Sequence, residues 1–278
     1  MADLPLHCPD SHWKRSSRSC SLPPSIRSSW RRLPWLLMLG VALTGCASRD
    51  LLRQVTTGLC VPNARLTGLA TPCRQVVKDP GFAVLRAPGE RQHFILVPLR
   101  PLRGLESPAL WQPGQPNWFG LAWRQRWYLS AWGQAPVADE RIALALNAPS
   151  GRSQDQLHVH LACLRPEVRE QLSPLVPELD EHWRALPMAL AGGRYQARRL
   201  SEAQLLPADF FQALASQPPY PLPDPRLSLA VVALPSRDAS RQFLLLAGRA
   251  GSQPGDQGSA ERLLVADCQG TTGAPATQ

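Results

Sequence analysis

His158 and His160 stand one residue apart in the run Gln154-Asp155-Gln156-Leu157-His158-Val159-His160-Leu161-Ala162-Cys163. In a β-strand, residues i and i+2 share a face. Both imidazoles therefore point one way, and Leu157, Val159 and Leu161 point the other. Imidazole titrates near neutrality, binds metals and is a nucleophile. Three readings follow: two structural histidines, half of a zinc site, or the floor of a site for attack on phosphorus. Attack suits a pyrophosphate, which links two anions and repels an anionic nucleophile. A neutral ring avoids that repulsion and forms a phosphoramidate. No further close Cys/His pair with ligand spacing accompanies the two histidines, so a zinc module would hold only half of its ligands.

The flanking chain must position these rings. Ile142-Ala143-Leu144-Ala145-Leu146 reads as a strand ending at Asn147, and Pro149-Ser150-Gly151-Arg152-Ser153 as a turn into the histidine strand. Arg165-Pro166 closes that strand and opens a helix with Pro near its first turn. Upstream, residues 82–85 and 93–98 read as strands of a hairpin around Pro88-Gly89-Glu90. Residues 46–59 read as a short helix. From 117 to 132 the period is helical, with Trp118, Leu121, Ala122, Leu129 and Trp132 near one face. Further strands are expected near 226–234, 242–248 and 263–266, with a helix over 207–215. The fold class is α+β: an antiparallel sheet with few helices. The expected organisation is a leader over 1–45, a catalytic region over 46–170, a C-terminal α+β portion of the same domain over 171–270, and a loose tail over 271–278.

A chain of 278 residues, 44% of them apolar, can bury a core. The formal charge is +9, but Lys14, Arg15, Arg18, Arg27, Arg31 and Arg32 crowd the leader against only Asp3 and Asp10. The remainder is modestly cationic, which suits an anionic substrate or membrane surface. No basic stripe with interleaved aromatics occurs, so nucleic acid is not an expected partner. Trp111, Trp118, Trp123, Trp127 and Trp132 are dense; helical spacing makes most of them core, with one or two left for a lipid interface.

The front end reads as an address. Arg31-Arg32 precedes the apolar run 33–43, and Leu43-Thr44-Gly45-Cys46 fits a bacterial lipobox. Cys46 is then a lipidated N-terminus; the alternative is an uncleaved anchor facing the same compartment, the periplasmic side of the cell membrane. An exported protein forms disulfides. Four cysteines remain after the leader and Cys46, and they allow three pairings. Cys60 with Cys73 brackets a short segment and is favoured. Cys163 with Cys268 would tie the histidine strand to the C-terminal end, unless Cys163 is a buried thiol.

Several strings together resemble a known family. His93-Phe94-Ile95-Leu96-Val97-Pro98 resembles the His-apolar-Pro strand of the histidine-triad superfamily, and Asn147, Gln154 and His158-Val159-His160 match its Asn…Gln…His-φ-His layout. Most specifically, Gly151-Arg152-Ser153-Gln154-Asp155-x-Leu157-His158-Val159-His160-x-Ala162-Cys163-x-Arg165-Pro166 resembles the CDP-diacylglycerol pyrophosphatase family. So do Gly104-x-Glu106-Ser107-Pro108 and Asn117-x-x-x-x-Ala122-Trp123. The resemblance implies a histidine-triad-like fold and cleavage of CDP-diacylglycerol, a membrane lipid, to CMP and phosphatidic acid.

A third histidine of the full triad is replaced here by Ala162. On this resemblance His160 is the nucleophile, forming a nucleotidyl-histidine, and His158 holds the phosphate or the tautomer of His160. In an alternative frame Gln156 takes the first position and His158 attacks. Asn147, Arg152, Ser153, Gln154 and His93 are expected to bind substrate. Asp155 is either a ring-orienting acid or a solvated turn residue, and His182 is expected on the surface. The covalent route requires no cofactor and leaves room for Mg²⁺ beside the phosphates. No protein partner is expected. The competing functions are a hydrolase or nucleotidyltransferase for soluble nucleotides, and a non-catalytic lipoprotein that binds lipid or nucleotide. Ser107 lacks the Gly-x-Ser-x-Gly elbow of a serine hydrolase.

Overall fold

The computed structural model describes residues 48–130, 136–236 and 240–268. The leader, Cys46, Trp132 and the tail after Gly270 lie outside them. The described residues cluster as one compact unit.

Among the described residues, ten strands form one antiparallel sheet. They are β1 (Gln75–Val77), β2 (Phe82–Arg86), β3 (Phe94–Pro98), β4 (Ile142–Leu146), β5 (Val159–Leu164), β6 (Arg184–Leu190), β7 (Gly193–Ser201), β8 (Leu227–Ala233), β9 (Gln242–Arg249) and β10 (Leu264–Val265). Their spatial order is β1-β2-β3-β5-β4-β8-β9-β7-β6, and β10 pairs with β5. Along one side of β5, β3 pairs with Val159, His160 and Leu161, and β10 with Cys163 and Leu164. Along the other side runs β4. The histidine strand is therefore interior to the sheet.

Alternation sorts the side chains onto two faces. Phe94 and Leu96, then Ile142, Leu144 and Leu146, then Val159, Leu161 and Cys163, enter one core. The apolar faces of α3 (Trp118–Arg124) and α6 (Phe210–Ser216) cover it with Trp118, Phe119, Trp123, Phe210 and Phe211. The opposite face carries Ala143, Ala145, Ala162 and Leu164, covered by Val168 and Leu172 of α4 (Pro166–Leu172). Farther along that face, Ile95 and Val97 pack with Leu52, Cys60 and Cys73 from the N-terminal segment. Trp127 alone of the described tryptophans is exposed.

Three differences from the expected elements have physical causes. The N-terminal helix runs on to residue 67 as α1 (Leu51–Val55), a π turn (Thr56–Cys60) and α2 (Val61–Thr67). Its stop is Gly68, whose φ of 77° is the left-handed turn that ends helices. The hairpin β6–β7 is not predicted by the local pattern. Pro187 and exposed arginines break its apolar alternation, and Pro is tolerated there because β6 is the terminal strand of the sheet. The described part of the expected 117–132 helix breaks into α3 and a 3₁₀ turn over Arg126–Ser130. The four-residue α5 (Glu202–Leu205) opens on a capping box built by Ser201 and Gln204.

Candidate active site

The sheet gathers three histidines onto one face. His160 lies opposite Ile95 of β3 and Ala145 of β4. Ala145 and Ala162 are small and leave room for its ring. His158 immediately precedes β5, His93 immediately precedes β3, and Asn147 immediately follows β4. All four side chains are buried. The His158 and His160 rings share a face, with centroids 4.8 Å apart, and His93 lies 5.1 Å from His160.

The two central rings differ in their hydrogen bonds. His158 Nδ1 lies 2.7 Å from the carbonyl oxygen of Gln156 and donates to it. That bond fixes the proton on Nδ1 and leaves the Nε2 lone pair bare. His160 has both nitrogens engaged: Nδ1 is 2.9 Å from His93 Nε2, and Nε2 is 2.6 Å from Glu261 Oε2. His93 Nδ1 in turn contacts Glu90. The result is a chain, Glu90–His93–His160–Glu261. Its three contacts need three protons on four ring nitrogens. With both carboxylates ionised, the chain is complete when two rings share one proton beyond the neutral count.

Burial, followed by the charge of His160, drives the pKa of His158 down to about 3. His158 is thus a neutral imidazole at physiological pH. His93 is lowered too, by burial and then by His160, against an upward pull from Glu90. Burial raises Glu261, but its hydrogen bond to His160, the His160 charge and Asn147 outweigh that and hold it at about 2.

Glu261 comes from the C-terminal third, and two glycines admit it. A Cβ on Gly151 would meet backbone atoms of Gly258 and Ser259 at 2.7–2.8 Å. Gly258 has φ +72° and sits against Ala148. Across this close approach, Ala148 N–H donates to Gly258 O and the Ser150 hydroxyl donates to Gln257 O. Asn147 then clamps the acid: its Oδ1 accepts from Glu261 N–H at 3.0 Å, and its Nδ2 donates to Glu261 Oε2 at 2.9 Å.

The other expected binding residues have different partners. Arg152 gives both terminal nitrogens to the Glu106 carboxylate, at 3.0 and 2.6 Å, within a half-buried pair. This explains Gly104, where a Cβ would lie 2.4 Å from the Arg152 guanidinium. The side chain of Gln154 accepts from Leu52 N–H, and Asp155 pairs with Arg49; both hold the start of α1 rather than a histidine. Ser153 is exposed on the loop. Gln156 pins the strand before the site, donating to the carbonyls of Pro98 and Arg100. Asn117 caps α3 and donates to the carbonyls of Leu205 and Pro207 rather than bonding a histidine. His182 is exposed beside Asp180.

Cys60 is bonded to Cys73, and Cys163 to Cys268. The second bond ties β5 to the stretch that follows Glu261. That pairing is the one sequence signal for Glu261, since it brings the residues before Cys268 beside the histidine strand. Among the described residues, no set of three or more His, Cys, Asp or Glu side chains is arranged to hold a metal ion.

Fold and site define an α+β protein built around a buried neutral histidine with a carboxylate-anchored histidine pair beside it. The chain belongs to the CDP-diacylglycerol pyrophosphatase family, whose model matches residues 47–272. A CDP-diacylglycerol pyrophosphatase of Yersinia pestis is 36% identical over 248 residues, covering 86% of this chain and 95% of the relative. Among solved structures, yeast Ap4A phosphorylase aligns with 62% of this chain and 59% of its own, at 16% identity and a TM-score of 0.35. That likeness is too distant to bear on function.

Proposed function

We propose that this protein hydrolyses the pyrophosphate bond of CDP-diacylglycerol, giving CMP and phosphatidic acid, and that His158 is the nucleophile. The family assignment supports the reaction. The observation that carries the nucleophile is the free Nε2 of His158, opposite an Nδ1–H held by the Gln156 carbonyl. Ring attack makes the imidazole cationic, and that carbonyl stabilises the positive N–H as it forms. His160, the nucleophile of the first frame, would have to break its contact with Glu261 or His93 before attacking.

In the first step His158 Nε2 bonds to the cytidylyl phosphorus. The bond from phosphorus to the bridging oxygen breaks, and its electron pair leaves with phosphatidate. The departing oxygen takes a proton from the His93–His160 contact, which opens in that step. In the second step water attacks the phosphorus, the N–P bond breaks and CMP leaves. The proton of that water restores the His93–His160 pair. Glu261 and Asn147 orient His160, and Glu90 orients His93.

In the same reading, residues 1–45 direct export and the catalytic unit is held at the periplasmic face of a bacterial membrane, by acylated Cys46 or by an uncleaved anchor. The basic flank, the apolar run and the lipobox support this. A tethered enzyme meets a bilayer substrate by a search in two dimensions.

The test is a rapid acid-free quench with CDP-diacylglycerol labelled at the cytidylyl phosphate, followed by peptide mapping. The adduct is expected on His158. An adduct on His160 would reverse the assignment of roles. Full turnover with no trapped label on any residue would replace the covalent route by direct attack of water.

A further inference from the structure

We propose that the surface built by α1, the π turn, α2 and residues 68–78 docks on an anionic phospholipid leaflet, with a cavity beside Arg65 and Lys78 taking a lipid phosphate. Single exposed leucines are ordinary on a protein surface. Their distribution here is not. Of the five large apolar side chains exposed among the described residues, four fall in this segment: Leu51 at 46%, Leu59 at 51%, Leu66 at 84% and Leu69 at 67%. No element of the described fold covers them.

Charge supplies the second, independent observation. Residues 51–78 carry Arg53, Arg65, Arg74 and Lys78 and no Asp or Glu. Arg65, Arg74 and Lys78 line a cavity of about 480 Å³ whose other walls include Val61, Ala64 and Leu69. Cations and apolar side chains lining one cavity match a phosphate headgroup with its glycerol and first methylenes. The disulfide from Cys60 to Cys73 fixes the walls of this cavity relative to each other. A segment that mixes exposed leucines with basic residues and carries no acid has the composition of an interfacial segment.

The chain on either side agrees with that occupant. By sequence, Cys46 and the apolar run 33–43 come just before Leu51. On the other side, Gln154 Oε1 accepts from Leu52 N–H and Asp155 pairs with Arg49. These two residues belong to the loop that enters His158. A leaflet bound to this surface would therefore hold the loop of the catalytic site near the layer that contains the substrate. The inference rests on the hydrolase reading only for that last consequence.

The experiment uses the full chain, so that any anchor is the same in every sample. Amide exchange of residues 59–70 is followed in phosphatidylcholine vesicles, in the same vesicles with phosphatidylglycerol added, and in inorganic phosphate without lipid. Exchange is expected to slow about tenfold or more with phosphatidylglycerol. Arg65→Glu/Lys78→Glu and, separately, Leu66→Asp are expected to abolish the slowing, while both keep wild-type turnover of a short-chain, water-soluble CDP-diacylglycerol. Equal exchange in both vesicle types, or slowing unchanged in the charge-reversed variant, would overturn the proposal. Slowing by inorganic phosphate alone would also overturn it, leaving a small-anion site. A wild-type chain that shows the lipid-dependent slowing but no turnover would support the docking surface and end the hydrolase reading.

Discussion

Glu261 Oε2 lies 2.6 Å from His160 Nε2, although one residue precedes the last short strand and the other sits at the centre of the sheet. The contact makes the C-terminal third part of the site. It also occupies the nitrogen that an attacking His160 would need. His158, with its Nδ1 held by the Gln156 carbonyl, is left as the ring with a lone pair to give.

Replacing the nucleophile should be far more damaging than replacing its neighbour's carboxylate. His158→Ala is expected to lower kcat by about 10³-fold or more, as for nucleophiles elsewhere, with the fold retained. Glu261→Gln keeps the shape and removes the charge; a cost of about 10- to 100-fold in kcat is expected from a misoriented His160. Steady-state kinetics and circular dichroism on the two variants check this. Equal losses would mean that His158 and His160 act as one unit.

The depressed pKa of His158 has a definite sign in stability. Folded His158 stays neutral down to about 3, while an unfolded His takes up a proton near 6.5. Between those values the unfolded state binds more protons, so stability falls as pH falls, by up to about 1.4 kcal/mol per pH unit for one such group. His93, also lowered, acts in the same direction. Glu261, lowered to about 2, adds to the loss below the ordinary carboxylate range. Urea unfolding from pH 7 to pH 4 should show this slope, and His158→Asn should flatten it.

The same value predicts the acid limb of kcat/KM. A neutral nucleophile with a pKa near 3 gives no inflection near 6.5. The profile is expected to be flat between pH 7 and pH 5. The wild-type pH profile of kcat/KM checks this; an inflection near 6.5 would count against a neutral His158 as the attacking group.

Gly151→Ala should harm the site from outside it. The added methyl meets the Gly258–Ser259 backbone, which cannot rotate away as a side chain would. A stability loss of about 1–3 kcal/mol is expected from such overpacking, together with a kcat loss like that of Glu261→Gln, because the same carboxylate moves. Thermal unfolding and kinetics on one sample check both parts.

Reduction should loosen the same contact. Cys163 and Cys268 close a long loop, with a sequence separation of 105. Cys268→Ser is expected to cost about 2–4 kcal/mol and to lower activity, since the bond holds the chain after Glu261 against β5. Cys73→Ser should cost stability with little effect on kcat. Denaturant unfolding and turnover of the two variants check the contrast.

The strongest local patterns are legible in residue type and spacing. The period of two in residues 142–146 and 159–164 sets strands, and the i, i+2 spacing sets His158 and His160 on one face, because a pleated backbone alternates its side chains. His93 and Asn147, at the ends of neighbouring strands, follow from the same rule once the strands pair. The β6–β7 hairpin is hidden because its partner, β9, and not its own alternation, gives it a place. Arg152 reads as a phosphate ligand because a sequence shows a charge without its partner, here Glu106.

The sequence alone determined the histidine strand, the candidate disulfides and the family to which the chain belongs, all of which rest on residue type and short spacing. Only the tertiary structure decided which ring nitrogen is free. That choice depends on a carbonyl two residues back along the strand and on a carboxylate brought from the far end of the chain across Gly151 and Gly258. Hydrogen bonds made across the fold have no signature in local order, because chain distance and distance in space part company wherever a sheet is assembled.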